Sequence, residues 1–355
     1  GTAKASPSSS AISPVSQFQT LASPEPAPAV AQDFPVRAWV LATPQNPDLW
    51  WRDVSMASPG EGWAVGGQWC DYVGRYFCKI AQHYENGVWS AWEFVDHGSA
   101  NGLTSVQMLS PDDGWAVGSG TYSGGKARIL HYVNGDWVSV SIPAVSLLSS
   151  VAMVSPDEGW AVGHDGDPGV AGTSVIFHYT NGIWVSVSSP LSRTLNSVAV
   201  ISSTDSWAVG SEGAIAHYVS GSWQDASVPI SSTLHSVAMV SGAEGWAVGD
   251  HGTILHYVDG GWVSVSSPVT GTLRSVAMAS AGEGWAVGDS GTILHYVDGT
   301  WNRFLSPTNS DLYSVKALAA DEAWAVGIQG TILHYVALTN QMYFPVVWNG
   351  TTSGG

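Results

Sequence analysis

Seven histidines recur at one place in successive repeats, His83, His131, His178, His217, His256, His295 and His334. Imidazole is the side chain best suited to metal ligation and to proton transfer near neutral pH. A metal site, however, gathers ligands from different positions around one point, whereas a residue repeated once per unit is spread around the molecule. The pattern therefore predicts a structural role, each imidazole bonding a backbone group or a turn carboxylate of its own or the next unit. Carboxylates precede each repeated Trp as Glu61, Asp112, Asp113, Asp157, Glu158, Asp205, Glu244, Glu283, Asp321 and Glu322. Short acidic side chains there bond turn amides and would form a solvated rim, open to cations or a basic partner. Asp165 and Asp167, in His-Asp-Gly-Asp-Pro-Gly, have calcium-type spacing, but the full ligand loop is missing and no metal is expected.

No catalytic group stands out. A paired-carboxylate glycosidase needs two acids at a set separation, and nothing in the sequence marks such a pair. Cys70 and Cys78 are the only cysteines, close enough to face each other across a hairpin, and an oxidising compartment would let them pair as a disulfide. The chain begins at Gly1, and the simplest expectation is a processed, secreted or cell-surface protein whose signal peptide has been removed. No run of 18 apolar residues is present to cross a bilayer as a helix. Eleven Lys and Arg against 28 Asp and Glu give a charge of −17, which disfavours nucleic acid as a partner.

The elements that carry these residues follow from one pentapeptide. Gly-Trp-Ala-Val-Gly or a near copy centres on Trp63, Trp115, Trp160, Trp207, Trp246, Trp285 and Trp324, at intervals of 52, 45, 47, 39, 39 and 39 residues. Around it the repeat reads L-x-S-V-A-M-V-S, an acidic turn, G-W-A-V-G, a Gly turn, T-I-L-H-Y-V, Asn/Asp-Gly, then W-V-S-V-S-S-P. Runs of four to eight residues rich in Val, Ile, Trp and Tyr, separated by dipeptides suited to two-residue hairpins, are strands. Four strands per repeat and seven repeats predict an all-β, seven-bladed β-propeller of four-stranded antiparallel blades.

The ends of the repeat region sharpen this reading. The seventh unit stops after Val336 without its fourth strand, while Trp39-Val40-Leu41-Ala42-Thr43-Pro44 upstream looks like the missing W-V-S-V-S-S-P. Trp39, Val40 and Leu41 should therefore close the ring on the last blade, an exchange that a solenoid would not use. The predicted division is an extended Ser/Pro/Ala-rich tail over 1–34, a propeller over 35–336 and a strand-like tail over 337–355.

The string Glu-Gly-Trp-Ala-Val-Gly-Asp-x-Gly-Thr-Ile-Leu-His at 244–256 and 283–295 resembles the photosystem II stability and assembly factor type of propeller, related to bacterial neuraminidase repeats. The resemblance spans about residues 37–336 and implies a seven-bladed fold with a role in binding or assembly rather than catalysis. It also implies an arginine cluster on one face. Here the variable slot of L-x-S-V holds Arg52, Thr104, Ser149, Asn196, His235, Arg274 and Tyr313. A neuraminidase would need a converging arginine triad and S-x-D-x-G-x-x-W repeats, which this chain replaces with Gly-Asp-x-Gly-Thr-Ile-Leu.

Two features suggest partners. Hairpins 67–82, 119–128 and 164–177 are longer than their counterparts and emerge on one face, offering Trp69, Tyr72, Tyr76, Phe77 and Tyr122 as anchors for a protein or glycan. The C-terminal segment contains Tyr343, Phe344, Val346, Val347 and Trp348, apolar and strand-like, with Pro345 confining it to an edge. The leading expectation is a non-enzymatic extracellular structural protein without cofactors, self-associating through its tails as a filament or surface-layer subunit. The second is a cell-surface or periplasmic assembly or binding factor that recognises its partner on the long-hairpin face.

Overall fold

A computed structural model describes residues 36–69, 77–96, 102–119, 127–166 and 172–338. Seven antiparallel sheets follow one another in the chain, each with its first strand innermost, and each innermost strand packs beside the next. The blades begin with inner strands Leu49–Ser58, Leu103–Ser110, Leu147–Ser155, Leu195–Ser202, Leu234–Ser241, Leu273–Ser280 and Leu312–Ala319. Contacts between Leu49–Ser58 and Leu312–Ala319 bring the seventh blade back to the first and close the ring.

The closing strand is Arg37–Leu41, which runs antiparallel to Ile332–Ala337 with Trp39 opposite Tyr335 and Leu41 opposite Leu333. It completes the sheet built on Leu312–Ala319, as its resemblance to the missing fourth strand predicts. The ladder continues at both ends, through Ala42 N–H to Ile332 O at 2.8 Å and Leu338 N–H to Val36 O at 2.7 Å.

One blade departs from four plain strands. In blade 1 the outer strand breaks into Val88–Trp89 and Glu93–Asp96, both paired to Phe77–Glu85. At the break, Ser90 N–H donates to His83 O at 2.7 Å while Ser90 Oγ donates to Ala91 O at 2.8 Å.

Third and outer strands are joined by two-residue turns in which both residues have positive φ, for example Asn134 at 54° and Gly135 at 87°. That geometry matches the twist of the flanking strands and explains the Asn-Gly and Asp-Gly dipeptides.

The core lies between blades. Each pentapeptide Trp packs on the next blade's third-strand Tyr and, edge to face, on its outer-strand Trp, as Trp115 does on Tyr179 and Trp184. Trp39 occupies that place for Trp285, with ring centroids 5.2 Å apart and planes at 86°. Its own indole is buried with the rest of the cluster. Burying about 200 Å² per Trp contributes roughly 5 kcal/mol before entropy is counted, so this cluster is the main adhesive between blades.

Within each blade a second fit is visible. Met56, Met108, Met153, Met239 and Met278 on the inner strands each lie opposite the first Gly of the pentapeptide. A Cβ at Gly245 would overlap the Met239 sulfur, so glycine is required there. Where the inner residue is smaller, the partner grows: Val200 faces Ser206 and Ala317 faces Ala323.

Hydrogen bonds stitch the inner strands together. The serines of L-x-S-V accept backbone N–H groups from the next blade: Val151 to Ser105, Val198 to Ser150, Val237 to Ser197, Val276 to Ser236 and Val315 to Ser275, at 3.1–3.3 Å. Blade 1 has Asp53 in this place, and its carboxylate accepts Val106 N–H at 2.9 Å.

Candidate protein-binding face

Antiparallel strands put two kinds of turn on opposite faces of the ring. The acidic turns that precede each Trp and the Asn/Asp-Gly turns lie on one face. The starts of the inner strands, with the hairpins between second and third strands, lie on the other.

The acidic face is where the histidines belong. Each imidazole stacks on its own blade's pentapeptide Trp, with centroids 3.7–4.4 Å apart and planes within 15°. Each also faces the carboxylate of its own acidic turn. His131 to Asp113, His217 to Asp205 and His295 to Glu283 are hydrogen bonds of 2.8–3.0 Å, and His83 bonds Glu61. His178, His256 and His334 stand 3.4–3.6 Å from Glu158, Glu244 and Glu322. Those three nitrogens are left without a hydrogen bond. The predicted carboxylate bond is present for His83, His131, His217 and His295, in each case to the same blade's acidic turn. Burial lowers the His334 pKa from 6.5 to about 4, so at neutral pH that imidazole is uncharged and its approach to Glu322 is not an ion pair.

On the opposite face the slot residues open the inner strands. Thr104 Oγ1 donates to Leu148 O at 2.6 Å, and Asn196 Nδ2 to Leu234 O at 2.9 Å, so these two serve the neighbouring blades. His235 Nε2 lies 2.7 Å from Asp250 and Arg274 Nε 2.5 Å from Asp289, each aspartate opening the second hairpin of the same blade. Burial pushes the Asp250 carboxyl up, but the hydrogen bond and charge of His235, with bonds from Thr272 and Thr233, outweigh it and hold the pKa below the ordinary 3.8.

Blades 7 and 1 break this pairing. Ile328 and Gly67 stand where the hairpin aspartates would be, so Tyr313 and Arg52 have no carboxylate from their own hairpins. The Arg52 guanidinium carbon lies 4.3 Å from the centroid of the Tyr313 ring and 5.7 Å from that of Trp50, and Arg274 lies 4.6 Å from the same tyrosine. Two cations thus share one aromatic ring, and only Arg274 has an acid beside it among the described residues. Such stacking holds a guanidinium while leaving its N–H edges able to donate.

Lys316 stands exposed on the inner strand of blade 7, where the other blades carry Ser55, Gln107, Ala152, Ala199, Ala238 and Ala277. A polar cavity of about 570 Å³ lies at the same seam, lined by Gln45, Ser306, Thr308, Ser310, Asp311 and Gln329. Gln45 is fixed there by a 2.9 Å bond to Thr331.

The aromatic anchors expected on the long hairpins are only partly placed. Trp69 ends its strand at 45% exposure, opposite Phe77 in the ladder. Tyr72, Tyr76 and Tyr122 lie outside the described residues, as do Tyr343, Phe344, Val346, Val347 and Trp348. Cys78 is buried opposite Gln68, but Cys70 lies outside the described residues, so the disulfide stays an expectation. Asp165 accepts a 2.9 Å bond from Ser146, and Asp167 is outside the described residues. Tyr313 was invisible as a site residue in sequence; its signal is that it falls between Arg274 and Arg52 in the slot order.

Fold and face together define a seven-bladed β-propeller in which Arg52 and Arg274 stack on Tyr313 at the seam of the ring. Residues 215–306 match the family model described as photosynthesis system II assembly factor YCF48. No curated protein sequence matches it. A solved structure described as YCF48 bound to D1 peptide is similar with a TM-score of 0.63 and 19% identity, covering 84% of this chain and 96% of that one. YCF48 from Cyanidioschyzon merolae is similar with a TM-score of 0.61 and 16% identity over 84% and 99% of the two chains. A streptogramin B lyase reaches 0.66 with 13% identity over 84% and 97%, so the architecture also carries enzymes. None of these comparisons supports the filament-subunit expectation.

Proposed function

We propose that this chain is a non-enzymatic assembly or binding factor that docks a protein partner on the face where Arg52, Tyr313 and Arg274 meet. The carrying observation is the half-buried guanidinium pair stacked on one tyrosine, on a chain whose net charge is −17. Repulsion by the rest of the surface makes a local cationic patch selective for where an acidic segment lands. The partner is an extended segment bearing carboxylates, with its backbone free to use the polar cavity beside Tyr313. The similar YCF48 structure is described with a peptide bound, which fits a peptide-docking propeller. Export to an oxidising compartment belongs to the same proposal and rests on Cys70 and Cys78.

A photo-crosslinking residue at position 313, compared with one at position 244 on the acidic face, tests this in the native cell. The proposal expects a discrete adduct from position 313 that disappears when Arg52 and Arg274 are changed to Ala. Adducts arising only from position 244 would refute it.

A further inference from the structure

The outer strands of the blades differ in how they guard their free edges. An outer strand has one neighbour, so every second N–H and C=O points outward, and proteins normally blunt such edges with charge, breaks or proline. Blade 1 breaks its edge at residues 90–92, and blade 7 ties Arg37 to Asp321 at 3.1 Å. Blade 4 carries Gln224 and Asp225, and blade 6 Asn302 and Arg303. Blade 2 opens its outer strand with Asp136, and the outer strand of blade 5, Gly261–Val265, is uncharged and exposes Val263 at 48%. Blade 3 is likewise uncharged but carries two exposed apolar side chains on one strand. Its outer strand, Ile183–Val187, reads Ile-Trp-Val-Ser-Val and is the last in its sheet. Trp184 turns inward against Trp115, leaving Ile183 at 59% and Val185 at 36% exposure on the other side.

We propose that this edge accepts, as an added antiparallel or parallel strand, the segment Tyr343–Trp348 of a second copy of the chain. Three observations select that occupant. Residues 339–355 contain no charged side chain in a chain of net charge −17, and the Ile183–Val187 edge is likewise uncharged. The segment is apolar and strand-like, and Pro345, which lacks an N–H, is tolerated on a strand with one side facing water. Finally, the described chain reaches Leu338 at the rim of blade 7, nearly opposite blade 3. The five steps from Leu338 to Tyr343 span about 17 Å, whereas a ring of this size is about 50 Å across, so the segment cannot reach blade 3 of its own ring. This inference is independent of the partner-docking face.

The test measures the mass of the full chain by light scattering between about 1 and 100 µM, with the Ile183→Lys/Val185→Lys variant and a chain ending at residue 340. A synthetic peptide of residues 341–350 is then titrated into the truncated ring. Concentration-dependent association that is lost in both variants, with unchanged thermal unfolding, is expected. It should strengthen at least threefold on raising salt from 50 to 500 mM as like charges are screened. The peptide should bind the truncated ring and bind at least tenfold more weakly when Ile183 and Val185 are lysine. A full chain that stays monomeric throughout, association that survives the lysine substitutions, or a peptide indifferent to them would each overturn the proposal. So would a compact monomer in which the segment packs on its own ring.

Discussion

The Ser314 hydroxyl donates to Asp53 Oδ1 across 2.6 Å, joining the inner strand of the seventh blade to that of the first. The same carboxylate accepts Val54 N–H and, on Oδ2, Val106 N–H, each at 2.9 Å. Asp53 therefore bonds blades 7, 1 and 2 at once, where the serines of blades 2 to 6 each accept an N–H from the next blade. Burial pushes its carboxyl pKa up, against the bonds from Ser314, Val106, Ser105 and Val54.

Asp53→Ala should accordingly cost more than any single serine of the ring. It leaves Val106 N–H and the Ser314 hydroxyl without their acceptor, an expected loss of about 2–4 kcal/mol, against about 1–2 kcal/mol for Ser275→Ala. Urea unfolding of the two variants measures the difference, and equal losses would show that the seam bond is incidental.

Much of this was legible in sequence, and the limits are physical. The pentapeptide and the displaced Trp39 strand are read from period alone, because a blade must bury the same Trp in the same place each time. Asp53 was not, since in a chain with many turn aspartates a carboxylate in a serine slot has no signature until the seam is closed. Tyr313 is legible only as a slot residue; that two arginines lean on it depends on the curvature of the ring. The broken outer strand of blade 1 was missed because Val88–Trp89 and Glu93–Asp96 read as one run.

If Trp39 is an ordinary blade tryptophan supplied from afar, Trp39→Ala and Trp301→Ala should destabilise alike, by about 3–5 kcal/mol each. Their packing is equivalent: Trp39 sits on Trp285 as Trp301 sits on Trp246, at 5.2 and 5.4 Å. Thermal unfolding that barely responds to Trp39→Ala would mean the ring closes without it.

The Met and Gly pairs should behave as coupled sites. Gly245→Ala forces Met239 aside and is expected to cost about 1–3 kcal/mol, with part of that loss relieved in a Met239→Ala background. Additive losses in the double-mutant cycle would argue against the fit.

Acid should weaken the fold through His334. Its folded pKa of about 4 lies below the ordinary 6.5, so the unfolded chain takes up the proton first as pH falls. The stabilisation is complete above pH 6.5 and lost on the way to pH 4, by up to about 3 kcal/mol. His334→Gln should flatten the fall in urea midpoint between pH 7 and pH 4.5; an unchanged slope would contradict this.

The central claim is that the Arg52, Tyr313 and Arg274 mouth docks a protein segment. The direct measurement is binding of a synthetic peptide library graded in acidity to the immobilised ring, repeated with Arg52→Ala, Tyr313→Ala and, as a control on the other face, Glu244→Gln. The account predicts that acidic peptides are selected and lose at least tenfold in affinity with the first two substitutions but not the third. Selection of no peptide, or of peptides indifferent to Arg52 and Tyr313, would contradict it.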